Sequence, residues 1–225
     1  MTMPCMSKQV VCFDLDDTLY KEIYFLKSGY RKVAELVEKK FHYGAQGIYE
    51  RPYSWYLKGE NPFACLNETY SLDNPIGDYL NVYRFHQPSI LLSDGVEDTL
   101  NELKHRGVIL GLITDGRTIS QKNKINSLGL DRWFEDKNII ISEEFGSEKT
   151  DERNFRYFMD LYPECKYCYV GDNPKKDFVV PNLLHWETIM LKDNGRNIHK
   201  QEPVPVGNLP QHTITEMKEL LDFIR

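Results

Sequence analysis

Short apolar runs separated by stretches of helical periodicity set the plan of this chain. Gln9–Phe13 is a β-branched apolar run that stops at an aspartate, and residues 108–113, 139–141, 167–170 and 188–191 repeat the pattern. Runs that are apolar throughout, rather than alternating, predict strands covered on both faces. Helical spacing fills the gaps. Asp94 and Glu97 read as a capping box ahead of Val96, Leu100 and Leu103, with Gly107 as the stop. A second helix is expected over 118–128, followed by Gly129. Thr150 reads as the cap of a third whose first turn carries Asp151 and Glu152, and Thr213 with Glu216 as the box of a last one carrying Met217, Leu220, Leu221 and Ile224. Repeated β-α-β units predict an α/β fold, a doubly wound parallel sheet, with its working edge at the carboxyl ends of the strands.

Residues 19–88 break the alternation. Ile23, Leu26, Tyr30, Val33, Val37 and Phe41 mark one long amphipathic helix, and Asn74-Pro75 can open another through Ile76, Tyr79, Leu80 and Tyr83. Ten of the fourteen tyrosines lie here, and nine basic against eight acidic residues make the segment slightly positive in a chain of net charge −6. The expected organisation is a core of residues 1–18 and 89–225, with residues 19–88 as an all-helical cap over the strand ends. Most of the cap's aromatic residues would pack helix on helix.

Composition then narrows the classes. A 225-residue chain with 41% apolar residues can bury a core plus one sizeable insertion. Its acidic balance gives no footprint for nucleic acid or an anionic membrane, so neither is expected as a partner. The first twelve residues leave no room for a secretory hydrophobic region, and five cysteines without a framework fit reduced thiols. A cytoplasmic location is the expectation. Cys165 and Cys168 form a lone C-x-x-C on a strand-like run and read as packing residues.

The chemistry gathers where strands end. The first runs into Asp14-Leu15-Asp16-Asp17-Thr18, and on extended backbone Asp14 and Asp16 project to one side while Leu15 faces the core. Carboxylates so close bind a cation or share a proton, unless the turn is simply a solvated one. The second strand ends at Thr114-Asp115-Gly116. Lys149 follows the third, and the fourth enters Gly171-Asp172-Asn173-Pro174-Lys175-Lys176-Asp177. A carboxylate that attacks a phosphate dianion needs a hard cation, an ammonium and a hydroxyl to offset like-charge repulsion, and these strand ends supply the parts.

With these motifs in order, the chain resembles the haloacid dehalogenase-like hydrolase superfamily over nearly its whole length. D-x-D-x-T appears at 14–18, the T/S motif at Thr114, the lysine at Lys149 and G-D-x-x-x-x-D at 171–177. The resemblance implies a Rossmann-like core with an inserted all-helical C1 cap. It implies Asp14 as nucleophile through an aspartyl-phosphate, Asp16 as general acid/base, and Thr114, Asp115 and Lys149 around the phosphate. Mg²⁺ would be held by Asp14, the carbonyl of Asp16 and Asp172, with Asp177 in support. Residues 121–144 resemble the branch that contains nucleotide and sugar-phosphate phosphatases. Asp115 stands where many relatives have asparagine, either adding negative charge beside the phosphate or capping the next helix.

The expected activity is hydrolysis of a small phosphomonoester, a sugar phosphate or nucleoside monophosphate. A phosphomutase would share every motif. A 2-haloacid dehalogenase of this kind lacks a second aspartate, so Asp16 argues against one. A phosphoacceptor module without enzymatic turnover would not need the insertion or the complete last motif. No G-x-G-x-x-G follows a strand and no P-loop is present.

Overall fold

The computed structural model describes residues 8–224. Six strands form one parallel sheet: β1 Gln9–Phe13, β2 Ile109–Thr114, β3 Ile139–Ile141, β4 Lys166–Gly171, β5 Glu187–Leu191 and β6 His212–Ile214. Their order is β3-β2-β1-β4-β5-β6, so the chain reverses direction across the sheet between β1 and β4. In such a sheet the crevice for a ligand opens at that reversal, beyond the carboxyl ends. The alternation within β1 shows why its run is apolar throughout. Val11 and Phe13 pack into one core cluster, and Val10 and Cys12 into the other, all fully buried. A side chain at Gly111 in β2 would come within 2.6 Å of Cys12 Sγ and of the Phe158 ring, so the bare backbone there lets Phe158 lie against the sheet.

Five helices lie between β1 and the next core helix: α1 Glu22–Phe41, α2 Ala45–Ile48, α3 Arg51–Leu57, α4 Pro62–Tyr70 and α5 Ile76–Phe85. The stripe of α1 that is buried consists of Phe25, Leu26, Tyr30, Val33, Ala34 and Val37. Its Gly29 meets α5 so closely that a Cβ would stand 2.5 Å from the Tyr83 ring. Asn61 caps α4, accepting from the amides of Phe63 and Ala64 at 3.0 and 3.2 Å. The remaining helices are α6 Val96–His105, α7 Thr118–Leu128, α8 Ser142–Phe145, α9 Arg153–Leu161 and α10 Val179–Leu183.

Several local expectations need correction. β6 carries no apolar run that announces it; only three residues pair with β5, and Ile214 alone is buried. Thr213 therefore lies in a strand, and the capping box of the final 3₁₀ turn, Met217–Asp222, joins Glu216 to Glu219 instead. Gly95, in the left-handed conformation, starts α6 with no side-chain cap, and Glu152 rather than Thr150 precedes α9. Asp151 bonds the amide of Arg153 at 2.9 Å as a short Asx turn ahead of that helix. Pro75, not Asn74, is the N-cap of α5, because Asn74 faces inward and accepts from Lys40. Cys168 is buried in β4 with a free thiol, consistent with packing.

Candidate active site

β1 delivers Asp14 to the edge of the sheet, where its amide still donates to Val170 of β4 at 2.8 Å and continues the parallel ladder. Leu15 turns into the core and is fully buried, so Asp14 and Asp16 both line a cavity of about 110 Å³ at the carboxyl ends of the strands. Asp17 turns the chain in the left-handed conformation, φ 58°, which aspartate tolerates better than most residues. A larger cavity of about 710 Å³ opens on the flank near Lys21, Ser93 and Arg196. It contains neither Asp14 nor Lys149, so the chemistry belongs to the smaller one.

Asp14, Asp172 and Asp177 are buried, and one oxygen from each lies within 4.8 Å of the others. Lys149, itself buried, donates from Nζ to Asp14 Oδ1 and, at 3.0 Å, to Asp177 Oδ1. Burial works against its charge, but those two carboxylates outweigh it and hold the ammonium well above its usual pKa. One lysine cannot neutralise three carboxylates. Burial, opposed by Lys149 and reinforced by Asp177 and Asp16, pushes Asp14 up to about 7. Burial, then Asp177 and Asp14, push Asp172 up to about 9. A site left this short of positive charge, with only oxygen donors, suits a hard divalent cation. Asp177 is also a brace: its Oδ2 accepts the amides of Asp172 and Asn173 at 3.1 and 2.8 Å, folding the loop after β4 around it. Gly171 permits this, since a Cβ there would lie 2.5 Å from Asp177 Oδ2.

Asp16 makes no hydrogen bond with Asp14. Its carboxylate turns to α7, where Lys124 Nζ donates to both oxygens at 2.7 and 2.9 Å and Gln121 Nε2 to Oδ2 at 3.0 Å; the Tyr20 hydroxyl donates to Oδ1. Burial alone would raise its pKa, but Lys124, Gln121 and Tyr20 together bring it below the ordinary carboxylate value. Asp16 is thus set as an ionised hydrogen-bond acceptor, and its carboxylate stands outside the Asp14, Asp172, Asp177 group.

Thr114 is buried at the end of β2, its hydroxyl accepting from Gln121 Nε2 at 2.7 Å, which leaves its proton for another acceptor. Asp115 caps no helix; α7 begins behind Arg117 without a side-chain cap. Its carboxylate instead receives the amide of Lys149 at 3.0 Å and Lys176 Nζ at 3.1 Å. Both carboxylate oxygens are thus engaged, one by the main chain of Lys149 and one by the side chain of Lys176.

Other residues reach this site without a motif to announce them. Glu22 and His199 line the cavity, and Lys124 and Gln121 reach it from α7. Asn197, on the loop after β5, donates to Asp172 Oδ2 at 2.8 Å and accepts from Lys21 Nζ at 2.6 Å. A hint lies in the Gln121-x-x-Lys124 spacing, which sets two polar side chains on one helix face directly after Thr114.

Comparison with known proteins places the chain in a family. A family model described as haloacid dehalogenase-like hydrolase matches residues 8–178. A glyceraldehyde 3-phosphate phosphatase of Methanocaldococcus jannaschii is 29% identical, with 96% of each chain covered. One of the same name from Methanothermobacter thermautotrophicus is 31% identical over 83% of this chain and 82% of its own. Among solved structures, a HAD-hydrolase, YfnB, from Bacillus subtilis superposes with a TM-score of 0.65 at 19% identity, covering 97% of this chain and 99% of its own. No helix of the described residues is long and apolar enough to cross a membrane.

Proposed function

The chain belongs to the haloacid dehalogenase-like hydrolases and acts on phosphoric monoesters, and from that premise we propose that it is a Mg²⁺-dependent phosphatase of the C1-cap branch, taking a small phosphorylated metabolite. In this reading residues 1–18 and 89–225 form the catalytic core and residues 19–88 the cap. The observation that carries it is the convergence of Asp14, Asp172 and Asp177 within 4.8 Å around the buried Lys149 ammonium. The size of the cavity, about 110 Å³, supports a small substrate.

Asp14 is the nucleophile. Its free oxygen attacks phosphorus, the bond from phosphorus to the alcohol oxygen breaks, and an aspartyl-phosphate forms. Water then attacks the same phosphorus, releases inorganic phosphate and restores the carboxylate. Lys149 and Thr114 hold the phosphate oxygens with an ammonium and a hydroxyl proton, and the amides after β2 add neutral donors. Asp16, ionised beside Lys124, is set to take the proton of the attacking water. To serve the leaving alcohol it must first pick up a proton against that ion pair. The three clustered carboxylates fit Mg²⁺: Asp14, Asp172 and the carbonyl of Asp16 would hold it, with Asp177 steadying the loop. When bound, the ion supplies the positive charge that lets a carboxylate approach a phosphate dianion.

The test is phosphate release from a panel of small phosphomonoesters, with and without chelator, and an acid quench to look for phosphate on Asp14. Release that needs Mg²⁺, with phosphate trapped on Asp14, is the expected result. Undiminished release after exhaustive chelation removes the metal from the reading, and no release from any member of the panel removes the phosphatase.

A further inference from the structure

The cavity of about 710 Å³ on the flank is several times larger than the catalytic one and takes no part in the chemistry above. Its volume is that of a pocket for a cofactor or an effector. It is bounded where the chain leaves the sheet for the inserted helices, at Lys21 and Tyr24, and where it returns, at residues 89–96. The Ser93 amide ties the two crossings together by donating to the Leu19 carbonyl at 2.9 Å. Two kinds of surface meet in this cavity. Ile90, Val96, Leu191 and Met217 are buried and give it an apolar wall, while Leu91 is left 83% exposed. The charged lining is mostly basic, in a chain of net charge −6. Lys218 is matched by Glu216 at 2.6 Å, which leaves Lys21, Lys192 and Arg196 against Asp94. Neither Lys192 nor Arg196 pairs with a carboxylate of a described residue; Arg196 reaches only the Tyr24 hydroxyl, at 3.5 Å. An apolar wall beside unpaired cations suits an anion that carries an apolar body.

One lining residue links this cavity to the catalytic cluster. Lys21 is buried, and its Nζ donates to Asn197 Oδ1 at 2.6 Å and to the Asp17 carbonyl at 3.3 Å. Asn197 in turn donates to Asp172 Oδ2 at 2.8 Å. Arg196, which lines the cavity, and Asn197, which braces Asp172, belong to one tight turn. Asp193 Oδ1 holds that turn by accepting the amides of Gly195, Arg196 and Asn197 at 2.8, 3.0 and 3.0 Å. Two side chains, Lys21 and Asn197, therefore connect the flank cavity to a carboxylate of the proposed metal site.

We propose that the flank cavity is an effector site for a small organic anion with an apolar body, and that its occupant weakens the metal site through Lys21 and Asn197. The anion draws the Lys21 ammonium away from Asn197, and the amide that braces Asp172 loses its own anchor. Linkage makes the effect mutual, so Mg²⁺ held by Asp172 weakens the anion by the same factor. The coupling rests on the metal reading above; the site itself does not.

Anilinonaphthalene sulfonate has this chemistry, and phenylnaphthylamine is the same ring system without the anionic group. Both report binding to the intact protein by fluorescence. The sulfonate should bind one per chain and at least about threefold tighter than the uncharged compound. Lys192→Glu combined with Arg196→Glu changes two exposed side chains. It should weaken the sulfonate at least about tenfold and leave the uncharged compound within about twofold. Calorimetric titration of the wild-type protein with Mg²⁺, at saturating sulfonate, should give an affinity at least about fivefold lower than without it. Lys21→Met should abolish that shift. Equal or tighter binding of the uncharged compound, or a sulfonate affinity unmoved in the double variant, overturns the site. Mg²⁺ affinity unmoved by the sulfonate overturns the effector role, and no Mg²⁺ binding in either state removes the metal reading and the coupling with it. If Lys21→Met does not fold, the wild-type titration decides the coupling.

Discussion

The ammonium of Lys124 lies 2.7 Å from Oδ1 and 2.9 Å from Oδ2 of Asp16, a pair formed across 108 residues of chain. Lys124 is buried, and it also lies over the ring of Phe25 on α1, 4.3 Å from the centroid. One core helix thus neutralises the second aspartate of the nucleophile loop while touching the inserted helices.

Breaking that pair from one side should cost stability. Lys124→Met leaves a largely buried carboxylate without its counter-charge, and the expected loss is about 3 kcal/mol, the low end for buried pairs because Asp16 keeps some solvent contact. Adding Asp16→Asn to Lys124→Met should recover at least half of it. Urea unfolding of the two single variants and the double variant measures the coupling; a Lys124→Met protein as stable as wild type contradicts the pairing.

Asp14→Asn should lose turnover and keep its fold. Asp14, Asp172 and Asp177 crowd one another, so removing one charge should hold or raise the thermal midpoint in metal-free buffer. Phosphate release and a thermal scan on the same sample give both readouts. Turnover comparable to wild type takes the nucleophile role from Asp14.

Gly171→Ala tests the brace rather than the ligands. The new methyl group would be placed 2.5 Å from Asp177 Oδ2, which holds the amides of Asp172 and Asn173. Displacing it should loosen the loop and weaken Mg²⁺ binding by about 10–100-fold, the range seen when groups supporting metal ligands are lost. Calorimetric titration with Mg²⁺ reads this without any substrate, and unchanged affinity shows that Asp177 yields freely.

His86, behind α5, is predicted to make stability depend on pH. Its ring pairs from Nδ1 with the Tyr83 carbonyl at 2.6 Å, and its Nε2 is buried with no partner among the described residues. Burial lowers its pKa and outweighs the opposing Tyr83 carbonyl, so the folded protein holds the ring neutral. Below about pH 6.5 the unfolded chain takes up a proton that the folded chain refuses. The contribution is therefore intact above about 6.5 and fades as pH falls towards the lowered folded value. His86→Phe should flatten the stability profile on that acidic side, measured by denaturant midpoints from pH 7.5 to 5; an unchanged slope assigns the dependence to other groups.

Local sequence pattern was enough to specify the parallel sheet and the edge at which the chemistry stands. An apolar run that ends in Asp14, Thr114 or Gly171 carries its own instructions: β-branched residues specify the strand, and the polar residue falls where the strand leaves the core. Much of α1 and the whole of α7 were legible for the same reason, since their periodicity is local. The helix starts at Gly95, Pro75 and Glu152 were not, because Asp94, Asn74 and Thr150 are only candidates for a cap until backbone angles and competing partners choose among them. β6 was hidden because an edge strand of three residues needs little apolar surface.

The pairing of charged groups, by contrast, emerged with the folded arrangement. Asp14 and Asp16 are two residues apart, yet burial with Asp177 nearby outweighs Lys149 at Asp14, while Lys124, Gln121 and Tyr20 outweigh burial at Asp16, so their pKa values move in opposite directions. Asp115 bonds the Lys149 amide and the Lys176 ammonium, and Asn197 reached Asp172 from a loop with no periodic pattern. Strand propensity and helical period act between near neighbours, whereas the charge state of a buried carboxylate depends on the few ångströms to groups that the fold brings in from far along the chain.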